Sequence, residues 1–325
     1  MARLGLGLGL GLGLGLASAL SAPNPQAITP LPPGVGLYLR GQKSADTQGY
    51  IRRAAADAVR AAQEAGLERL EVEFPPLLGG DKSKTALDDF SNTEVLDANC
   101  DWSMQFSVDF GKDLGKKAWV IFPDLKEVEL ARQAWPGGAF QSCALTYIEA
   151  AAAAISGEGS VARAWGTTFA KKARDMGLVG DDTLGSLNAD DLAADDAADL
   201  CFPPALQIAV QPGDGGPVED WINVEAAKAD GATLVVVNGA LDKLRGGYYA
   251  PFIFPALAKC VDRFYRDFES AYVLKPVDSA GWIHRAYPEP WGVYAEVGSG
   301  QAPKLVATLP ERPTYQEAIS IIRQA

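Results

Sequence analysis

A chain of 325 residues with a single histidine, His284, has little metal or nucleophile chemistry open to it. Multi-histidine metal centres are excluded, and most catalytic dyads lose their base. Cysteine is almost as scarce. Cys100, Cys143, Cys201 and Cys260 stand more than 40 residues apart with no Cys-x-x-Cys. That spacing excludes small disulfide scaffolds and zinc ribbons, and points to four buried thiols. No Gly-x-Ser-x-Gly elbow and no Gly-Lys-Ser/Thr phosphate loop occurs anywhere. Acid is missing altogether before Asp46, where Arg3, Arg40 and Lys43 are the only charges. The remainder therefore holds 26 basic against 41 acidic residues, within an overall net charge of -12. A body this acidic repels phosphate backbones, which argues against a nucleic-acid partner.

What is present begins with a targeting pattern. Residues 1–22 carry one Arg, a Leu-Gly alternation and the small-residue junction Ala17-Ser18-Ala19-Leu20-Ser21-Ala22 before Pro23. This is the layout of a cleaved signal peptide, since a run half made of glycine is a poor membrane span. The Gly-x-Gly repeats imitate a dinucleotide fingerprint without its strand or its acidic ribose partner. Residues 23–45, rich in Pro and Gly, read as a transit peptide or linker with no core of its own. A signal followed by an acid-free stretch resembles the two-part plastid address of algae with complex plastids. Leu20 departs from the Phe usual at that junction, so secretion stands as the alternative location.

From residue 46 the pattern alternates helix and strand. Residues 46–66 place Ile51, Ala55, Ala58 and Ala62 on one helical face. Leu70, Val72 and Phe74 alternate with Arg69, Glu71 and Glu73, which predicts a strand with one wet face. A helix within 85–110, bounded by Gly111, makes Asp109-Phe110-Gly111 a helix end and not a kinase magnesium motif. Residues 118–122 read as a buried strand, followed by a helix at 125–134 capped by Asp124 with Glu127. Residues 206–210, a Gly-rich loop, a helix and residues 233–237 form a parallel βαβ unit. One long helix is then expected with Leu257, Val261, Phe264 and Phe268 on one face. Short strands at 271–274, 282–287, 293–297 and 305–308 precede a final helix capped by Thr314 with Glu317. His284, beside Arg285, reads as an exposed or rim residue. The seven aspartates between 181 and 199 fit no calcium loop and read as a solvated insertion near 180–199. The fold class is α/β: one domain over 46–325, a βαβ-containing mixed sheet flanked by helices, with an antiparallel C-terminal portion.

Candidate ligand or partner contacts lie where strands end. They are Asp124, then Asn238, Lys243, Arg245, Tyr248 and Tyr249, then Tyr287 and Trp291. Lys243 and Arg245 suit an anion, while Tyr and Trp suit a protein interface. The competing reading is a turn in which Asn and Gly supply left-handed geometry, beside rings that close the core. No residue set calls for a metal or a cofactor.

Several segments recur in an order that carries a resemblance. They are Leu70-Glu71-Val72-Glu73-Phe74-Pro75-Pro76-Leu77, Ile121-Phe122-Pro123-Asp124, Asn238-Gly239, Phe268-Glu269 through Leu274-Lys275, and Tyr287-Pro288-Glu289-Pro290-Trp291. Together they resemble the plastid and cyanobacterial family of unknown function that includes the third Low PSII Accumulation protein and is fused to some plastid adenylate kinases. The resemblance implies a non-enzymatic stromal factor that assists photosystem II assembly at the thylakoid surface. It supplies no catalytic residues, and the kinase half is absent here. The implied partner is a membrane-protein client. Direct lipid binding is not expected from the net charge and the absence of a basic amphipathic helix. The alternative is a small-molecule-binding protein or enzyme using the strand-end site around Asn238 and Lys243.

Overall fold

A computed structural model describes residues 28, 30–35, 47–76, 91–156, 200, 202–213, 216–278, 280–298 and 301–325. The expected signal peptide and the acidic insertion near 180–199 lie outside them. Among the described residues, eight α-helices and nine strands form α1 (Thr47–Glu64), β1 (Arg69–Glu73), α2 (Asn92–Leu114), β2 (Ala118–Phe122), α3 (Leu125–Ala134), β3 (Ala144–Tyr147), α4 (Ile148–Ser156), β4 (Leu206–Val210), α5 (Glu219–Ala227), β5 (Thr233–Val237), α6 (Leu241–Arg245), α7 (Pro255–Arg263), β6 (Glu269–Val277), β7 (Gly281–Ala286), β8 (Trp291–Ala295), β9 (Lys304–Leu309) and α8 (Tyr315–Gln324).

All nine strands join one sheet in the order β3-β2-β4-β5-β1-β6-β7-β8-β9. The first six are parallel, and β6 to β9 pair antiparallel. The βαβ unit at 206–237 is as expected, with Leu206 opposite Thr233 and Val210 opposite Val237. Helices α1, α2 and α3 cover one face through Ile51, Trp102, Phe106, Met104 and Val128. Helices α4 to α7 cover the other through Ala151, Trp221, Leu241 and Leu257, and α8 extends that layer over Val273, Ile283 and Val293. Parallel strands hidden on both faces are apolar throughout, as β2, β4 and β5 are.

Helix ends follow local chemistry. Gly66, at φ +79, stops the chain turning after α1. Reciprocal capping boxes, Ser91 with Glu94 and Thr314 with Glu317, open α2 and α8.

Five sequence expectations are corrected. Strand β1 has no wet face: it lies between β5 and β6, and Glu71 is buried. Its alternation matches a charged cluster inside the protein. Helix α2 does not stop at Gly111 but runs on to Leu114, so Asp109-Phe110-Gly111 is helical interior. Glycine is needed there because Ser142 and Cys143 pack where a β-carbon would lie. The helix expected to carry Leu257 through Phe268 is shorter: Pro255 opens α7, which stops at Arg263 where Phe264 leaves helical geometry at φ -123, and a 3-10 turn follows at Tyr265–Asp267. Residues 30–35 belong to the body: Val35 is buried in the core and Thr47 Oγ1 donates to the Pro33 carbonyl at 2.8 Å. Proline fixes backbone direction without preventing neighbouring apolar side chains from docking. Finally, His284 is fully buried in β7.

The His284 ring lies against Tyr272 and Tyr294, with Nδ1 at 2.9 Å from the Val273 carbonyl, which requires Nδ1 to carry the proton. Nε2 has no partner. Burial pushes its pKa down from 6.5 to about 4, and the carbonyl contact opposes this only in part. The unfolded chain therefore binds a proton before the native state does. This contribution to stability is complete above pH 6.5 and is lost as pH falls through about 4, by about 3 kcal/mol in all. Urea denaturation across this range should show the loss, and His284→Phe should flatten that part of the profile while costing about 1 kcal/mol at pH 7 for the hydrogen bond.

Candidate functional site

The turns that leave the parallel strands create a crevice. Chain segments after β2 run to α3 on one face, whereas those after the neighbouring β4 run to α5 on the opposite face. Such a divergence opens a cleft at the carboxyl ends of the strands, where α/β sheets bind ligands. Here the cleft encloses about 280 Å³. Asp124, Glu149, Gln211, Gly213 and Asp220 line it, with Asn92 and Thr93 from the start of α2.

Each polar group has an identifiable holder. Asp124 caps α3, accepting from the Glu127 backbone N–H at 3.0 Å. Gln211 and Asn238 both take left-handed backbone conformations, at φ 42 and 49, directly after β4 and β5. An amide relay connects these strand ends. The Phe74 N–H donates to Asn238 Oδ1 at 2.8 Å, Asn238 Nδ2 donates to Asn99 Oδ1 at 2.6 Å, and Asn99 Nδ2 donates to Gln211 Oε1. Asn238 thus orients the wall of the cleft without lining it. Trp221 Nε1 donates to the Gly239 carbonyl, and its ring presses so closely on Gly213, at φ +68, that only glycine fits.

Electrostatics single out Asp220. Burial, then Glu149, Glu219 and Asp124, push its carboxyl up to about 7, and a hydrogen bond from Gly213 offsets only part of this. Burial likewise raises Glu149, and burial with Asp124 raises Glu127. Near neutral pH the cleft therefore holds both proton donors and acceptors, suited to a small polar ligand with amino or hydroxyl groups. An acid titrating near 7 is also able to transfer protons.

A second cluster lies at the ends of β1 and β6. Glu71, Glu73 and Asp242 bring oxygens within 4.8 Å of one another, a spacing open to a metal ion. Three protein cations are already there. Arg312 reaches Glu71 at 3.0 Å, Glu73 at 2.5 Å and Asp242 at 2.6 Å. Lys275 bridges Glu73 and Asp242, and Arg245 contacts Glu71 at 2.6 Å. Three carboxylates face three cations, so this is a neutral internal network.

The sequence-selected residues consequently part company. Asp124 lines the cleft and Asn238 braces it. Arg245 is committed to Glu71, whereas exposed Lys243 borders a separate hollow of about 260 Å³ with Glu73, Asp242 and Lys275. Tyr249 is half buried against Trp221, and Tyr248 is exposed. Tyr287 packs on the α1 side of the sheet, while Trp291 is buried on the α8 side with the Arg285 and Arg312 guanidinium carbons 5.3 and 5.2 Å from its ring. They form no common edge. Cys100, Cys143 and Cys260 are buried, with thiol pKa values raised by burial.

Sequence reasoning passed over Glu149, Gln211 and Asp220. A strand end followed by Gln-Pro-Gly and acids at the next helix start was the available signal. Only the sheet order brings Glu149 opposite them.

A family model described as Domain of unknown function (DUF1995) matches residues 47–319. No curated protein and no solved structure matches the chain.

Two substitutions test the electrostatics. Asp220→Asn should stabilise the fold, by up to about 4 kcal/mol above pH 8, because the ionised native form is the costly one. The gain should shrink as pH falls through about 7 and vanish below 3.8, as read by denaturation at each pH. Arg312→Met leaves Glu71 facing Arg245 alone and should cost about 3 kcal/mol by the same measurement at pH 7.

Proposed function

Since the chain belongs to the DUF1995 family, which is defined by sequence and not by an activity, we propose from its geometry that it is a ligand-binding accessory protein whose working site is the cleft between β2 and β4. The observation that carries this reading is Asp220. A carboxyl held near pH 7 beside two further carboxylates costs stability, and such groups are concentrated at sites that bind or react. The ligand is a small polar molecule bearing an amine or hydroxyls, because carboxylates and the Gln211 amide are the groups on offer.

The cellular setting is a proposal resting on sequence. The acid-free start and the ordered segments that resemble the family of the third Low PSII Accumulation protein support a plastid factor, stromal or peripheral to the thylakoid, that assists photosystem II assembly. Among the described residues no helix is long and apolar enough to cross a membrane. A second reading, an enzyme using Asp220 as general acid or base, is favoured by its pKa alone. Turnover of a bound ligand separates the two.

A thermal-shift screen of small amines, polyols and divalent cations at pH 6 and pH 8 tests the site. A genuine ligand at 100 times its Kd should stabilise by about 2.7 kcal/mol. Glu149→Gln and Asp220→Asn should abolish that shift. A screen in which nothing shifts the wild type, or in which both variants respond equally, removes the cleft from consideration. The accessory role would then rest on protein partners recovered by affinity purification from illuminated cells.

A further inference from the structure

The loop that joins α6 to α7 presents apolar side chains to solvent. Phe252 is 86% exposed, Tyr248 74% and Ile253 60%. These are the three most exposed large hydrophobic residues among the described ones. Burial of even one such side chain is favourable, so three within one loop mark a contact surface.

The loop is held in shape and not merely left outside. Tyr249 sits edge-on to Trp221, with ring centres 5.2 Å apart, and Phe254 packs edge-on to Tyr249 at 5.6 Å. Tyr248 N–H donates to the Lys243 carbonyl at 3.1 Å, and the N–H groups of Ile253 and Phe254 both donate to the Ala250 carbonyl at 3.0 Å. Tyr249 and Phe254 thus anchor the base while Tyr248, Phe252 and Ile253 project from it.

Charge distinguishes the occupant. Residues 243–261 contain no acid, and the acids that flank them are paired, Asp242 with Lys275 and Arg312 and Asp262 with Arg266. Within them lie Lys243 and Lys259, both exposed, and Arg245. The net negative charge is spread over the rest of the body, and beyond a Debye length of about 8 Å its repulsion is largely screened. What a nearby surface meets is the local combination of lysines around aromatic and aliphatic side chains. That combination matches an anionic lipid bilayer, whose headgroups attract lysine and whose interface accommodates Tyr and Phe.

We propose that the 246–254 loop is an interfacial anchor that seats this protein on an anionic membrane surface, with Phe252 and Ile253 inserted, Tyr248 at headgroup level, and Lys243 and Lys259 against the phosphates. This differs from the expectation of attachment through a protein partner alone, in which Tyr248 and Tyr249 are candidate partner contacts. Tyr248, Phe252 and Ile253 line no part of the β2–β4 cleft.

Flotation of the full chain with vesicles of phosphatidylcholine, with and without phosphatidylglycerol, tests it. Wild type should float with the anionic vesicles and much less with the neutral ones. A Phe252→Ser/Ile253→Ser variant should lose at least tenfold in bound fraction at limiting lipid, with an unchanged melting temperature because both side chains are already solvated. A Lys243→Gln/Lys259→Gln variant should lose binding at least threefold on anionic vesicles only. The same variants are also compared with wild type after removal of residues 1–22, whose apolar run would otherwise hold every variant on the vesicles. Absence of wild-type flotation overturns the proposal, as does undiminished flotation of the Ser variant. Flotation that requires an added membrane protein also overturns it and assigns the loop to a protein partner.

Discussion

The cluster around Glu71 is the constraint on which the architecture depends. Strand β1 lies inside the sheet, so the charge of Glu71 has no access to bulk water and must be answered within the protein. The answers come from three regions of the chain: Arg245 in α6, Ser270 in β6, whose Oγ donates to Glu71 at 2.9 Å, and Arg312 before α8. A carboxylate shared in this way fixes where β1 can sit. A slip of one residue would turn Glu71 and Glu73 toward the apolar layer under α1 and α2. Buried ion pairs are weak contributors to net stability, but a buried charge left without its partner is costly, and here that cost falls on any arrangement that moves β1 away from Arg245 and Arg312.

Arg312 carries that selection across the molecule. It belongs to the antiparallel portion by sequence, yet its guanidinium reaches carboxylates on β1 and α6, while the Trp291 ring lies near its face. The same side chain therefore ties the C-terminal layer to the parallel strands and neutralises charge in the acidic triplet. With β1, β5 and β6 set, the amide relay from Phe74 through Asn238 and Asn99 to Gln211 positions the wall of the cleft two strands away. Gln211, Asn238 and Ala240 all adopt left-handed backbone conformations at these strand ends. Such conformations in residues other than glycine carry strain and concentrate at functional turns.

Asp220 and His284 show two outcomes of burial. Loss of solvent favours the uncharged form of each, which raises the acid and lowers the imidazole. Between about pH 4 and 6.5 their effects on stability have opposite signs, so the wild-type profile mixes them and single variants separate them. His284 is enclosed by core rings and has no route to a ligand. Asp220 borders an open cleft, and its proton is available to whatever enters.

The sequence alone determined the elements whose causes are local. Periodicity and caps placed α1, α3, α8, β2, β4 and β5, and the Gly-rich turn between β4 and α5 made their pairing parallel, because those signals act over a few residues. Alternation in β1 was equally legible, but its meaning was not: water and a distant arginine impose the same pattern on a strand. The position of His284, the continuation of α2 through Gly111 and the docking of Val35 were likewise hidden, since each depends on which segments pack against it. So was the cleft. Asp124, Glu149 and Asp220 come from three separate crossovers, and only the sheet order brings them together. The exposure of Phe252 was hidden too, because hydrophobicity in a sequence states that a side chain favours burial and leaves open whether the same chain supplies the cover.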